Sequence, residues 1–227
     1  MSDLGFAPEN ILPYLIRALI LLTMLPVHEF AHGFAADRLG DDTPRAQGRL
    51  TLNPFAHLDW TGSILIMLIG IGWGKPVSVD MRNFEHPRRD MAVTALAGPL
   101  SNLLLSFFLM ILYKILLASS PQYALASNSA LIADILGTLC FYSIMLAVFN
   151  LIPLPPLDGS KILGILLPQK IYWAMLRYQR QITFVFMLLL IFRVLTFPIQ
   201  FATSWVFIFF DRITMPVEWW IQLWTRS

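Results

Sequence analysis

Three apolar runs in this chain, residues 11–36, 91–117 and 130–149, are each long enough to cross a bilayer, for which about 20 helical residues suffice. Backbone N–H and C=O groups in hydrocarbon must be satisfied within the protein, so such runs fold as helices. A fourth apolar region, residues 182–210, is interrupted by Arg193 and Pro198. It reads either as one long tilted helix or as a span followed by a second membrane-embedded piece. The fold class expected is therefore an α-helical polytopic membrane protein, with about four to six transmembrane helices. Composition agrees: 57% of residues are apolar and 13% charged, against about 25% charged in soluble domains. Lysines and arginines are dispersed between the apolar runs rather than gathered in a patch, which argues against nucleic-acid binding. The single cysteine, Cys140, lies within an apolar run and reads as a buried, inert thiol.

Residues 38–90, between the first two spans, are neither a clean helix nor a plain loop. They hold an apolar run at 63–71, too short to cross, followed by Gly72-Trp73-Gly74-Lys75-Pro76-Val77-Ser78-Val79-Asp80. Glycines, a proline and the Val-Ser-Val alternation predict turns and short strands, and the short apolar run before them re-enters or lies against the protein. Such an edge strand would hold an unwound peptide by strand addition. This segment carries seven lysines and arginines, and Lys161, Lys170, Arg177 and Arg180 follow the third span, whereas residues 118–129 carry none. The positive-inside rule then places both basic connections in the cytoplasm and the N-terminus outside.

Near the cytoplasmic end of the first run stands His28-Glu29-Phe30-Ala31-His32. Histidines at i and i+4 project from one helix face, where both can ligate a metal while the glutamate acts on water. Ionisable residues are expensive in hydrocarbon, so the cluster marks a functional site. A catalytic zinc site takes three protein ligands and one open position. Position 38, where a third histidine would mark one soluble metalloprotease class, is arginine, and the next glutamate is Glu85. A carboxylate at membrane depth remains, and Asp134 and Asp158 are the candidates. Asp158 follows Pro153, Pro155 and Pro156 at a helix break on the cytoplasmic side, at the depth of the two histidines. Asp134 lies toward the outer face and reads as interfacial.

His28-Glu29-Phe30-Ala31-His32, together with Asn150-x-x-Pro153-x-Pro155-x-Leu157-Asp158-Gly159, resembles the site-2 protease family of intramembrane zinc metalloproteases. Ala97-Gly98-Pro99-Leu100-Ser101-Asn102 is similar to that family's glycine-asparagine motif, and Gly74-Lys75-Pro76-Val77 to its membrane-associated hairpin. The resemblance covers about residues 10–165. It implies that His28, His32 and Asp158 ligate Zn2+, that Glu29 is the general base, and that Asn102 and Asn150 contact the substrate or the site. It further implies a single domain over 1–227, with a catalytic core at about 10–165 and C-terminal membrane helices at about 170–227. The function implied is cleavage of transmembrane protein substrates within the lipid bilayer, in the inner membrane of a prokaryote, as in regulated intramembrane proteolysis.

Other residues have plainer readings. His57 and His86 read as solvated or capping. Gly98 is explained equally by close helix packing. Arg193 either snorkels to an interface or pairs inside the bundle. Trp219, Trp220 and Trp224 form an interfacial anchor. A metal transporter would carry polar residues along a path through the spans; here they gather at one depth.

Overall fold

The computed structural model describes residues 11–70, 72–119 and 127–225. The first ten residues and most of the connection after the second span lie outside them. In chain order the helices are α1 (Leu12–Leu19), α2 (Leu25–Arg38), α3 (Thr43–Ala46), α4 (Pro54–His57), α5 (Trp60–Ile69), α6 (Pro87–Ser119) and α7 (Ser127–Asn150). They continue as α8 (Asp158–Leu166), α9 (Gln169–Arg177), α10 (Gln179–Ile191), α11 (Thr196–Ile213) and α12 (Met215–Thr225).

Among the described residues, three helices are long and apolar enough to cross a membrane: Leu12–Arg38, Pro87–Ala118 and Leu131–Asn150. A fourth is reached if α9 and α10, bent by 68°, count as one broken span. Between α1 and α2 the chain winds through a π-helical turn, Ile20–Met24. Pro26, in the first turn of α2, has no N–H to give the ladder, and a π turn is one way a helix absorbs such a defect. Residues 182–210 are not one helix: α10 stops at Ile191, and α11 starts at Thr196.

α6 and α7 pair along much of their length and bury Met110, Cys140 and Ile144, against which Val206, Phe207 and Phe210 of α11 pack. Cys140 sits in this core, its thiol donating to the Ser106 carbonyl. At the far end of α6, Lys114 is 1% exposed. Its ammonium reaches Asp211 Oδ1 at 2.9 Å and Glu218 Oε1 at 3.3 Å, joining α6 to α11 and α12. Trp219 and Trp220 on α12 are exposed, as an anchor requires.

The segment after α2 departs from expectation. Residues 63–69 belong to α5, which is capped by Asp59 at its start and ends on left-handed Gly70. Arg17 donates to the carbonyls of Met67 and Leu68 at 2.5 and 3.0 Å, tying this end to α1. The chain then returns alongside α5. A Cβ on Gly62 would lie 2.0 Å from the Trp73 carbonyl oxygen, and one on Gly72 would lie 2.1 Å from that of Gly62. The two backbones touch, and only glycine fits there.

The returning stretch 72–80 has no regular secondary structure, and no strand or hairpin forms among the described residues. A strand needs a neighbouring backbone, and here the amides go elsewhere. Lys75 N–H donates to the His57 carbonyl, Val77 N–H to Glu29 Oε2, and Asp80 N–H to Asp41 Oδ2. Pro76 has no N–H, so positions 75, 76 and 77 offer a docking peptide no donor. Asp41 anchors the end of the stretch, also accepting from Thr43 and Asn83. Burial would raise its carboxyl pKa, but these bonds outweigh it and hold the group below the usual carboxylate range.

Candidate metal centre

His28 and His32 lie one turn apart on α2 and face α6 and the start of α8. Their Nε2 atoms are 3.0 Å apart, and each meets Asp158 Oδ2, at 3.2 and 3.1 Å. All three residues are buried, and these ligand-type atoms meet from segments 126 and 130 residues apart in the chain. A tetrahedral zinc ion with ligands at 2.0–2.1 Å separates them by about 3.3 Å, so this triangle is close to the right size.

The surroundings fix which atoms face inward. His32 Nδ1 donates to the Thr94 carbonyl at 2.7 Å, leaving the Nε2 lone pair toward the triangle. Asn102 places its amide 3.0 Å from His28 Nδ1 through Nδ2, while its buried Oδ1 has no hydrogen-bond partner among the described residues. Turning the amide over gives Oδ1 the His28 Nδ1 proton, satisfies the orphaned oxygen and points the second Nε2 lone pair inward. Lys161 donates to Asp158 Oδ1 at 3.1 Å, leaving Oδ2 for the triangle. The donor set therefore fits a divalent ion of the zinc type.

Two glycines let these parts approach. A Cβ on Gly98 of α6 would lie 2.4 Å from His32 Nε2 and 2.7 Å from His28 Cε1. One on Gly159 would lie 2.3 and 2.5 Å from the carbonyl oxygens of Leu151 and Ile152. So α7 ends at Asn150, the proline-rich turn doubles back, and Asp158 in the first turn of α8 arrives at the histidines. Glu29 and Asn150 line a cavity of about 360 Å³ beside the triangle, together with Trp73, Pro76 and Val77.

Of the residues singled out from sequence, His28, Glu29, His32, Asp158 and Asn150 thus share one cavity. Asn102 is fully buried against His28 and does not line it. Asn150 donates to the Leu146 carbonyl. Asp134 is exposed near the start of α7. His86 is exposed, whereas His57 is buried with Nε2 2.8 Å from the Thr51 carbonyl. Sequence reasoning passed over the Thr94 carbonyl, Lys161 and the Val77 amide. Of these, only Lys161, three residues after Asp158 at a helix start, left a readable signal.

The sequence profile of peptidase family M50 matches residues 16–192. The chain belongs to peptidase family M50. Among proteins similar to this M50 peptidase is YwhC of Bacillus subtilis, which carries the name of a zinc metalloprotease. It is 40% identical over 168 residues, covering 74% of this chain and 75% of that protein. Rip2 of Mycolicibacterium smegmatis, likewise named as a zinc metalloprotease, is 32% identical over 142 residues, or 61% of this chain. Rip2 of Mycobacterium tuberculosis H37Rv is 32% identical over 144 residues. This M50 peptidase spans 52% of the length of each Rip2 protein. No solved structure matches it.

Proposed function

We propose that this M50 peptidase is a zinc-dependent intramembrane endopeptidase, cutting membrane-protein substrates within or beside their transmembrane segments. The observation that carries the reading is the triangle of His28, His32 and Asp158, with the Glu29 carboxylate beside it. These groups sit in a cavity walled by membrane-length helices. Residues 10–165 act as the catalytic core and 170–227 as supporting helices of one domain. The distribution of lysine and arginine supports an N-terminus outside a prokaryotic inner membrane and a site toward the cytoplasm.

His28, His32 and Asp158 would hold the zinc ion, which when bound would supply Lewis acidity toward a carbonyl and a water. Glu29 takes the proton of the attacking water and delivers it to the leaving amine. The Val77 N–H, 2.8 Å from Oε2, fixes the carboxylate rotamer and leaves Oε1 to accept that proton. A helical substrate hides its carbonyls in its own hydrogen bonds and must unwind to expose one. Asn150, on the cavity wall, would meet the peptide so exposed.

Purified protein in lipid vesicles, given a single-span substrate, is expected to cut inside the span. A chelator should stop cleavage and added zinc restore it. Zinc crossing the vesicle without any cleavage defeats the reading. Asn102 acts on His28 rather than on substrate. Asn102→Leu is expected to weaken zinc binding by about 10–100-fold, whereas Asn102→Asp, which keeps an oxygen acceptor, retains it. Equal zinc affinity in wild type and Asn102→Leu, measured by competition with a chromogenic chelator, refutes that role.

A further inference from the structure

A second cavity of about 360 Å³ adjoins the metal cavity and shares Gly72, Leu146 and Phe149 with it. Its wall is mostly apolar, yet Arg17 and Arg193 both contribute to it, and no aspartate or glutamate does. Arg17 is 3% exposed and brings a fixed charge held in place against the end of α5. Arg193 has φ +59°, the one positive φ at a non-glycine among the described residues.

The backbone around Arg193 explains why that is notable. Val194 N–H bonds the Leu189 carbonyl and Arg193 N–H the Leu190 carbonyl, the paired bonds of a Schellman helix end. Its left-handed position is usually glycine, because a Cβ is disfavoured there. The arginine at this position goes against that backbone preference, and this exposed residue lines the cavity. A guanidinium in an apolar wall calls for a carboxylate or phosphate partner. Because the two cavities meet at Gly72, Leu146 and Phe149, a peptide lying across the metal site runs toward the second one; a lipid has no such reason to join the two.

Resting on the protease reading, we propose that this cavity is a specificity subsite. It receives the stretch of substrate that runs from the scissile bond toward the N-terminal end of α1, and Arg193 pairs there with an acidic side chain. Arg17, which lines the same cavity as Arg193 and so sets the scale of the reach, precedes His28 by 11 residues, about 16 Å along a helix. An extended peptide covers that distance in about five residues. The preferred acidic residue therefore lies about five positions from the cut.

The test uses full-length protein in vesicles and single-span substrates carrying Asp, or isosteric Asn, at each position from three to eight residues either side of the cut. Wild type is expected to favour Asp over Asn in kcat/KM by about tenfold near position five, on one side only. Arg193→Gly, which suits the left-handed turn, should reduce that ratio to about one, and Arg193→Lys should keep part of it. Absence of any preference in wild type, or a preference that survives Arg193→Gly, overturns the subsite. So does an activity that depends on anionic lipid through Arg193 while Asp and Asn substrates are cut alike, which would make the occupant a lipid phosphate. If wild type cuts none of the substrates, the protease reading itself fails and the subsite with it; cleavage without an Asp preference defeats the subsite alone.

Discussion

An alanine at position 98 is expected to leave the chain folded but unable to hold zinc. The added Cβ would sit 2.4 Å from His32 Nε2, 2.6 Å from His32 Cε1 and 2.7 Å from His28 Cε1. Carbon does not approach imidazole atoms this closely, so rings or helices must shift. Neither ring has slack: His32 is tied to Thr94 and His28 to Asn102 on α6 itself. A metal site tolerates ligand errors of about 0.2 Å, and relief of this clash needs several times that. Overpacking of this kind costs about 1–3 kcal/mol in stability, while zinc affinity should fall by more than about 100-fold, with cleavage lost alongside. Zinc content after purification and the thermal unfolding midpoint separate the two effects. Gly137→Ala is the control, because its Cβ would meet nothing nearer than Tyr113 at 3.6 Å. Full zinc occupancy in Gly98→Ala would show that the contact is not decisive.

Glu29→Gln should do the reverse, keeping zinc and losing turnover. Glutamine has the same outline, and its Oε1 can still accept from Val77 N–H, so the wall of the cavity is kept. What disappears is a basic oxygen able to take a proton. Removing a positioned general base costs about 10²–10⁴-fold in rate. Single-turnover cleavage with zinc content measured on the same sample provides the check. Normal cleavage by a zinc-loaded Gln variant would remove Glu29 from the mechanism. Read together, the two variants distinguish a site that cannot load from one that loads and cannot react.

Much of this site was readable before any coordinates, because its signals are local. His28 and His32 share a helix face by spacing alone, and three prolines announce the break that delivers Asp158. The C-terminal apolar region kept two readings, since apolar length does not say where a helix ends; the Schellman turn at Arg193 does. Val77-Ser78-Val79 alternates like a strand, but pairing depends on a partner backbone that alternation does not name. Here the amides found a helix-end carbonyl and the carboxylates of Glu29 and Asp41 instead. Asn102 shows the same limit: the family resemblance implied a contact with the substrate or the site, but only the distance to Nδ1 put it behind His28.

Lys114 has a consequence for the order in which the chain is made. It enters with the second span, yet the carboxylates that receive its charge, Asp211 and Glu218, come about a hundred residues later. Until they emerge, a cation bound for a fully buried position has no counter-charge from them, and such a cation resists burial. Every proposed zinc ligand has been synthesised by residue 158, but the charge of Lys114 is met only when the last two helices arrive. The C-terminal helices, which hold no proposed ligand, thus supply the counter-charge that lets the second span bury its lysine.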